Sequence, residues 1–303
     1  MTNEIQDVKM SEKQFAQECR LKIAYNAKVG LNLTSMHINR PGLMIAGYKN
    51  DFAAKRIQIM GKSEMGFLET NDNKHIDSFF ASKIPCVVIS YGNKPSKAML
   101  EAAKKHKRSI FISKKPTSKL VEELTLYLTD ALAPNENVHG VLMDIFGIGV
   151  LFTGKSSIGK SETALELVHR GHRLVADDSV IIKRINENIY GTSPNIIKHF
   201  MEIRGVGIID IKAIYGEGSI IDRKKVELII ELEQWDENKG YERVGKTPLE
   251  SKYLGVKIPK LLIPVHPGRN LAVVIEVATR DFRLKQGGYN PTMIVQKRMD
   301  KDK

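Results

Sequence analysis

Short apolar runs separated by helical periodicities fill the first part of the chain. "RIQIMG" (56–61), "CVVIS" (86–90) and "SIFIS" (109–113) have the pattern of buried strands. Residues 96–107, between the last two, carry apolar positions at helical spacing. Strand, helix, strand predicts a βαβ unit, and so a small N-terminal α/β domain. In "TSKLVEELTLYLTDAL" (117–132) Leu120, Leu124, Leu128 and Leu132 repeat every fourth position, the apolar stripe of a helix. "APNEN" (133–137) breaks that pattern with Pro134 and two asparagines and predicts a linker. The boundary falls there, giving an N-terminal domain over 1–133 and a C-terminal domain over 134–303.

Past the boundary the pattern changes. "VHGVLMDIFGIGVLFTG" (138–154) alternates through Val141, Met143 and Ile145, turns at Gly147 and Gly149, and resumes as the apolar run 150–153. This predicts a β-hairpin whose second strand runs straight into "GKSSIGKS" (154–161). A hairpin at this point predicts a mixed sheet instead of an all-parallel one. "KKVELIIELEQW" (224–235) places Val226, Leu228, Ile230 and Leu232 on one face of a further strand. "RDFRLKQGGYNPTMIVQKRM" (280–299) reads as helix, Gly–Gly break and second helix.

Composition narrows the class. The 303 residues are 42% hydrophobic and 27% charged, ordinary values for a globular chain with a core. No run approaches the roughly 20 apolar residues that span a bilayer, and the polar N-terminus has no signal-peptide apolar segment. Cys19 and Cys86 form neither a CxxC pair nor a zinc pattern, so a reducing, cytoplasmic setting is expected. A net charge of +12 raises nucleic acid as a partner. The basic residues are dispersed, however, and the densest cluster, "KKHKR" (104–108), reads as the solvated end of a helix. With no zinc-finger, KH or RRM signature, neither nucleic acid nor membrane is expected as partner. His37, His75 and His106 read as surface residues.

"GKSSIGKS" fits G-x-x-x-x-G-K-[ST] between a strand and a helix (161–170), the context in which such a loop holds phosphates. Backbone N–H groups of Gly154, Lys155, Ser156, Ser157, Ile158 and Gly159 and the helix N-terminus can cradle phosphate oxygens. Lys160 would neutralise the β and γ phosphates of ATP, and Ser161 would ligate Mg²⁺. Ser157 stands where glycine would be free of conformational cost. "HRLVADDSVIIKR" (172–184) is an apolar strand ending in Asp177 and Asp178, 17 and 18 residues after Lys160. That distance sets them beside the phosphates, one to organise Mg²⁺ and one to take a proton. Glu202 and Arg204 of "MEIRGVGIIDI" (201–211) precede a Gly-x-Gly turn that is by itself structural. Arg243 of "YERVG" (241–245) and Arg269 of "PVHPGRN" (264–270) suit phosphate oxygens, although each alone is a surface arginine. Three functions remain open at this level: a phosphotransferase, a basic P-loop ATPase acting on nucleic acid, and a nucleotide-sensing regulator without transferase activity.

"HGVLMDIFGIGVLFTGKSSIGKSETALELVHRGHRLVADD", "MEIRGVGIIDI" and "PVHPGRNLAVVIEVA" together closely resemble the HPr kinase/phosphorylase family, with "GKSEMGFLE" (61–69) a familiar piece of the N-terminal half. The resemblance implies a P-loop kinase domain whose mixed sheet resembles phosphoenolpyruvate carboxykinase. It implies phosphorylation of a serine on the phosphocarrier HPr and its removal by phosphorolysis, with inorganic phosphate consumed and pyrophosphate released. It further implies a homohexamer responding to fructose 1,6-bisphosphate and acting in carbon catabolite repression. Carried onto this chain, Asp178 matches the base of the forward reaction and the acid of the reverse. His139 matches the catalytic histidine beside it, and Lys160 the phosphate-binding lysine. Ser161 and Glu202 match the Mg²⁺ ligands, and Asp177 is the carboxylate of the pair read above as organising that ion. Arg243 matches the active-site arginine, and Arg269 lies in the segment tied to phosphorolysis. Ser157 departs from the glycine of the family loop, and His266 receives no role.

Overall fold

The computed structural model describes residues 6–237, 249–266 and 268–301. The chain divides into two compact units, Met1–Pro134 and Asn135–Lys303.

The first unit opens with β1 (Val8–Met10), α1 (Glu12–Glu18), β2 (Lys22–Tyr25), β3 (Leu31–Leu33) and β4 (Ile38–Asn39). It continues with α2 (Gly42–Ile45), β5 (Ile57–Met60), α3 (Lys62–Thr70) and α4 (Ile76–Ala81). It ends with β6 (Cys86–Ile89), α5 (Lys97–His106), β7 (Ser109–Ile112) and α6 (Thr117–Ala131). One sheet runs β2-β7-β6-β5-β4, parallel except for β2. Every residue of β5 and β6 is buried, because helices cover both faces of the sheet. Leu120, Leu124, Leu128 and Leu132 are all buried against one face, as the four-residue repeat predicts. The "KKHKR" cluster closes α5: Lys104, Lys105 and His106 form its last turn, where cations suit the helix dipole. Lys105 and His106 both pair with Asp77 at 2.9 Å.

The second unit opens with β8 (Asn135–His139), β9 (Val141–Ile145), β10 (Ile148–Gly154) and α7 (Lys160–His169). Next come β11 (Arg173–Ala176), β12 (Ser179–Ile185), β13 (Asn188–Thr192), β14 (Phe200–Ile203) and β15 (Gly207–Asp210). After α8 (Ile211–Tyr215) follow β16 (Arg223–Lys225), β17 (Leu228–Gln234), β18 (Leu249–Tyr253) and β19 (Val256–Val265). α9 (Leu271–Gln286) and α10 (Pro291–Lys301) complete it.

A mixed six-stranded sheet, β11-β9-β10-β17-β19-β18, forms the middle layer. A four-stranded sheet, β16-β13-β12-β8, covers one face, and α7 and α9 cover the other. Alternate residues of β10 serve the two layers: Val150 and Phe152 pack toward Ala164, Leu167 and Ile275 on the helices, while Leu151 packs with Val180 and Ile182 of the second sheet. The hairpin β9–β10 forms as its pattern predicts, with Ile145 opposite Ile148. Its two-residue turn uses Phe146 and Gly147, both at positive φ, as a type I′ turn requires.

Four expectations need correction. "APNEN" is not a linker throughout, because β8 begins at Asn135 and pairs with β12; a strand with polar residues on both faces carries no apolar alternation to announce it. Gly149 lies within β10, not in the turn. A Cβ there would sit 1.7 Å from the carbonyl oxygen of Lys225, so the glycine admits the chain arriving at β17. Val226 is buried but precedes β17, and the helix read from 280 onward begins at Leu271, capped by Asn270 accepting from the Val273 N–H at 3.0 Å.

β10, β17 and β19 run parallel, and β11 shares their direction because both it and β10 are antiparallel to β9. Their C-terminal ends therefore line one edge of the sheet, where ligands of α/β folds bind.

Candidate active site

The loop after β10 is shaped by its glycines. Gly154 has φ +134°, and a Cβ there would meet the Leu232 carbonyl oxygen at 2.4 Å. Gly159, at φ +93°, is the N-cap of α7, and its turn aims the first amides of that ten-residue helix toward the loop. Lys160 folds back under the loop, its Nζ donating to the carbonyl oxygens of Gly154 (3.1 Å) and Lys155 (3.0 Å). Burial lowers its affinity for the proton, and only the nearby carboxylates of Asp178, Asp177 and Glu162 oppose that. Lys155, Ser156 and Ser157 are exposed, and Ile158 packs against the core beneath.

Two crossings between the sheets supply the acidic side. The chain passes from the four-stranded to the six-stranded sheet at His139–Gly140, and back again at Asp177–Asp178. Pairing of Ser179 with His139 and a 3.1 Å bond from the Gly140 N–H to the Asp178 carbonyl oxygen bring the crossings together. A Cβ on Gly140 would reach within 2.4 Å of the Phe152 carbonyl oxygen, which explains the glycine. Asp178 has φ +64°, and the Ser179 N–H donates to the Asp177 carbonyl oxygen at 2.7 Å around it. This tight turn is strained, and such strain gathers at functional sites. It turns Asp178 outward, 71% exposed, with Oδ1 3.1 Å from His139 Nδ1.

Asp177 points the other way and is 4% exposed. Ser161 Oγ donates to its Oδ1 at 2.8 Å, and the Glu202 backbone N–H to its Oδ2 at 3.3 Å. Burial, the largest influence, raises its carboxyl above the usual Asp range although these donors pull it down. An acid so raised holds its proton more tightly folded than unfolded. Stability therefore falls as pH climbs from the ordinary Asp value through the raised one, and the full cost persists above it. Asp177→Asn is expected to flatten that slope, so the nucleotide-free, chelator-treated variant melts above wild type at neutral pH and level with it at acidic pH. Tm measured across pH checks this; a lower Tm at neutral pH would contradict it.

The resulting cleft, of about 170 Å³, is lined by His139, Ser156, Ser157, Gly159, Lys160, Ser161, Asp177, Asp178, Glu202 and Arg204 among others. It thus gathers most of the residues singled out from the sequence, though Gly154, Lys155 and Ile158 of the loop are not in its lining. Arg269 lies outside that lining: it is exposed beyond β19 on the same sheet edge, its Nη1 3.5 Å from the Pro264 carbonyl oxygen. Arg243 lies outside the described residues. Arg204, set aside above as part of a turn, is brought onto the loop, where its Nη2 donates to Ser157 Oγ at 2.5 Å. Its signal was its spacing: Glu202 and Arg204 are two apart where β14 ends, and so project to one side.

Among the described residues no three His, Cys, Asp or Glu side chains converge on a metal-sized point. Ser161, Asp177 and Glu202 nevertheless offer hard oxygen donors in a sparse set, which fits Mg²⁺, an ion that keeps waters and binds through one or two carboxylates plus substrate phosphates. Together the loop and Lys160 set backbone amides and an ammonium on one side of the cleft, with the outward Asp178 carboxylate on its rim.

The profile of the HPr Serine kinase C-terminal domain matches residues 130–299, and that of the HPr Serine kinase N terminus matches residues 10–128. The chain belongs to the HPr kinase/phosphorylase family. The HPr kinase/phosphorylase of Caldanaerobacter subterraneus subsp. tengcongensis is 45% identical over 297 residues, covering 96% of this chain and 97% of that protein. That of Alkaliphilus metalliredigens is 48% identical over 265 residues, 86% of each. The solved HPr(Ser) kinase/phosphatase of Coxiella burnetii is 38% identical and spans 51% of this chain and 94% of its own, with a TM-score of 0.48. Within the HPr kinase/phosphorylase family, this chain's cleft falls wholly inside the C-terminal match.

Proposed function

We propose that this chain transfers the γ-phosphoryl group of ATP to a serine of HPr and removes it by phosphorolysis. The observation that carries this reading is the outward Asp178 carboxylate, held beside His139 on the rim of the cleft that Lys160 and the loop floor. In the forward direction Asp178 accepts the proton of the HPr serine as its oxygen attacks the γ-phosphorus, and the bond to the bridging oxygen of ADP breaks. In reverse an oxygen of inorganic phosphate attacks the phosphoserine phosphorus, Asp178 returns the proton to the departing serine oxygen, and pyrophosphate leaves. His139 sets the orientation and protonation of Asp178.

Loop amides and Lys160 hold the phosphates, while Asp177, Ser161 and Glu202 would hold Mg²⁺, which neutralises charge on the phosphate oxygens. Arg269, on the same sheet edge, and Arg243 are assigned to the attacking phosphate and the developing charge. The loop, α7 and the mixed sheet are consistent with a P-loop kinase domain related to phosphoenolpyruvate carboxykinase. A homohexamer responsive to fructose 1,6-bisphosphate, working in the cytoplasm on carbon catabolite repression, completes the reading. Among the described residues no helix is long and apolar enough to cross a membrane.

The test is incubation with ATP, Mg²⁺ and HPr, with mass spectrometry of HPr. A serine-linked phosphate is expected, in an amount indifferent to added nucleic acid. ATP hydrolysis stimulated by nucleic acid with HPr unmodified would instead favour an ATPase.

A further inference from the structure

Ser157 holds a left-handed backbone, φ +67°, which serine adopts at a cost that glycine does not have. Its hydroxyl accepts the 2.5 Å hydrogen bond from Arg204 Nη2, linking the phosphate loop to the turn between β14 and β15. That turn has little of its own to hold a long side chain: Gly205 and Gly207 flank it at positive φ, and Val206 is 72% exposed. Arg204 is itself exposed, and among the described residues its side chain has Ser157 as its hydrogen-bond partner and no carboxylate. An unneutralised guanidinium is thus fixed over a loop whose other groups, Lys160 and the N-terminus of α7, also favour anions. Guanidinium carries five donors in a rigid fork, so the bond to Ser157 leaves four for phosphate oxygens.

We propose that Ser157 is a positioning residue whose hydroxyl tethers Arg204 over the phosphate loop, so that the guanidinium receives the terminal phosphate oxygens of the bound nucleotide. This deepens the phosphotransfer reading and rests on it. Ordering the side chain before the anion arrives removes a cost that would otherwise be set against binding. The bond to Ser157 persists when phosphate binds, because it uses a donor the phosphate does not need.

The test is a double-mutant cycle read by calorimetric titration of ATP in the presence of Mg²⁺, without HPr. Ser157→Ala keeps the Cβ and the backbone angle and removes only the hydroxyl; it is expected to weaken ATP binding roughly 3- to 10-fold, the cost of ordering one long side chain. Ser157→Gly, which is free of the backbone strain, is expected to give the same shift. Arg204→Ala is expected to weaken binding roughly 10- to 100-fold, as loss of a charge-assisted hydrogen bond does. In the Arg204→Ala background, Ser157→Ala should add nothing. Wild-type affinity in Ser157→Ala, or penalties that multiply in the double variant, would overturn the tether. The expected cycle in a protein that makes no phosphoserine on HPr would uphold the tether and overturn the phosphotransfer reading instead.

Discussion

Asp178→Asn is expected to lower phosphoryl transfer to HPr and its phosphorolytic removal together, each by roughly 10³-fold, while ATP binds within about twofold of wild type. The size is that of removing a general acid–base group, whose contribution is typically 10²–10⁴. The variant isolates the proton step for geometric reasons. Asparagine, like aspartate, tolerates the left-handed backbone that position 178 needs, so the turn and the contact across to Gly140 are retained. The side chain is exposed and has no partner in the loop, so the phosphate floor is undisturbed. One group serves both directions, as microscopic reversibility demands, so a loss confined to one direction would contradict the assignment as plainly as an unchanged rate. Single-turnover transfer in each direction, alongside calorimetric ATP affinity, makes the measurement.

Lys160→Met is expected to fail earlier, at the nucleotide. Methionine matches the length of a side chain that is 7% exposed, but it loses the ammonium and both bonds to the Gly154 and Lys155 carbonyl oxygens. Removing one preorganised charged donor aimed at a reacting group costs about 10²–10³ in rate, and a fall of that size in kcat/KM for ATP is expected. Unlike Asp178→Asn, this variant should weaken ATP binding measurably in the absence of HPr. Tm should stay near that of wild type, because burial already disfavours the ammonium in the folded protein. Wild-type ATP affinity in Lys160→Met would remove Lys160 from the phosphate site.

The contrast between these residues shows what the chain's pattern could reveal. The loop was legible because its function needs a local order of residue types between a strand and a helix, and β10 and α7 stand where that order requires. The hairpin β9–β10 was legible because its turn residues and apolar positions agree with one another. The meeting of His139 with Asp178 was not derivable from spacing, and only the family resemblance pointed to it. It depends on two crossings between stacked sheets, and one of the strands involved, β8, is polar along much of its length. "HRLVADDSVIIKR" likewise hides two strands, β11 and β12, in different sheets, because nothing in an aspartate pair declares the strained turn at Asp178. Ser157 had no account in the sequence, since its partner Arg204 lies 47 positions away. Arg269 shares the sheet edge but not the cleft lining, so its role rests on the resemblance alone.

The central claim is that one cleft moves a phosphoryl group between a protein serine and another phosphate in both directions. It is tested most directly by presenting the protein with Mg²⁺, unlabelled inorganic phosphate and HPr carrying ³²P on its phosphoserine. The account predicts that the label leaves HPr as pyrophosphate, only when inorganic phosphate is present, and not with Asp178→Asn. Label released as inorganic phosphate, or no release at all from a protein that binds ATP, would contradict it.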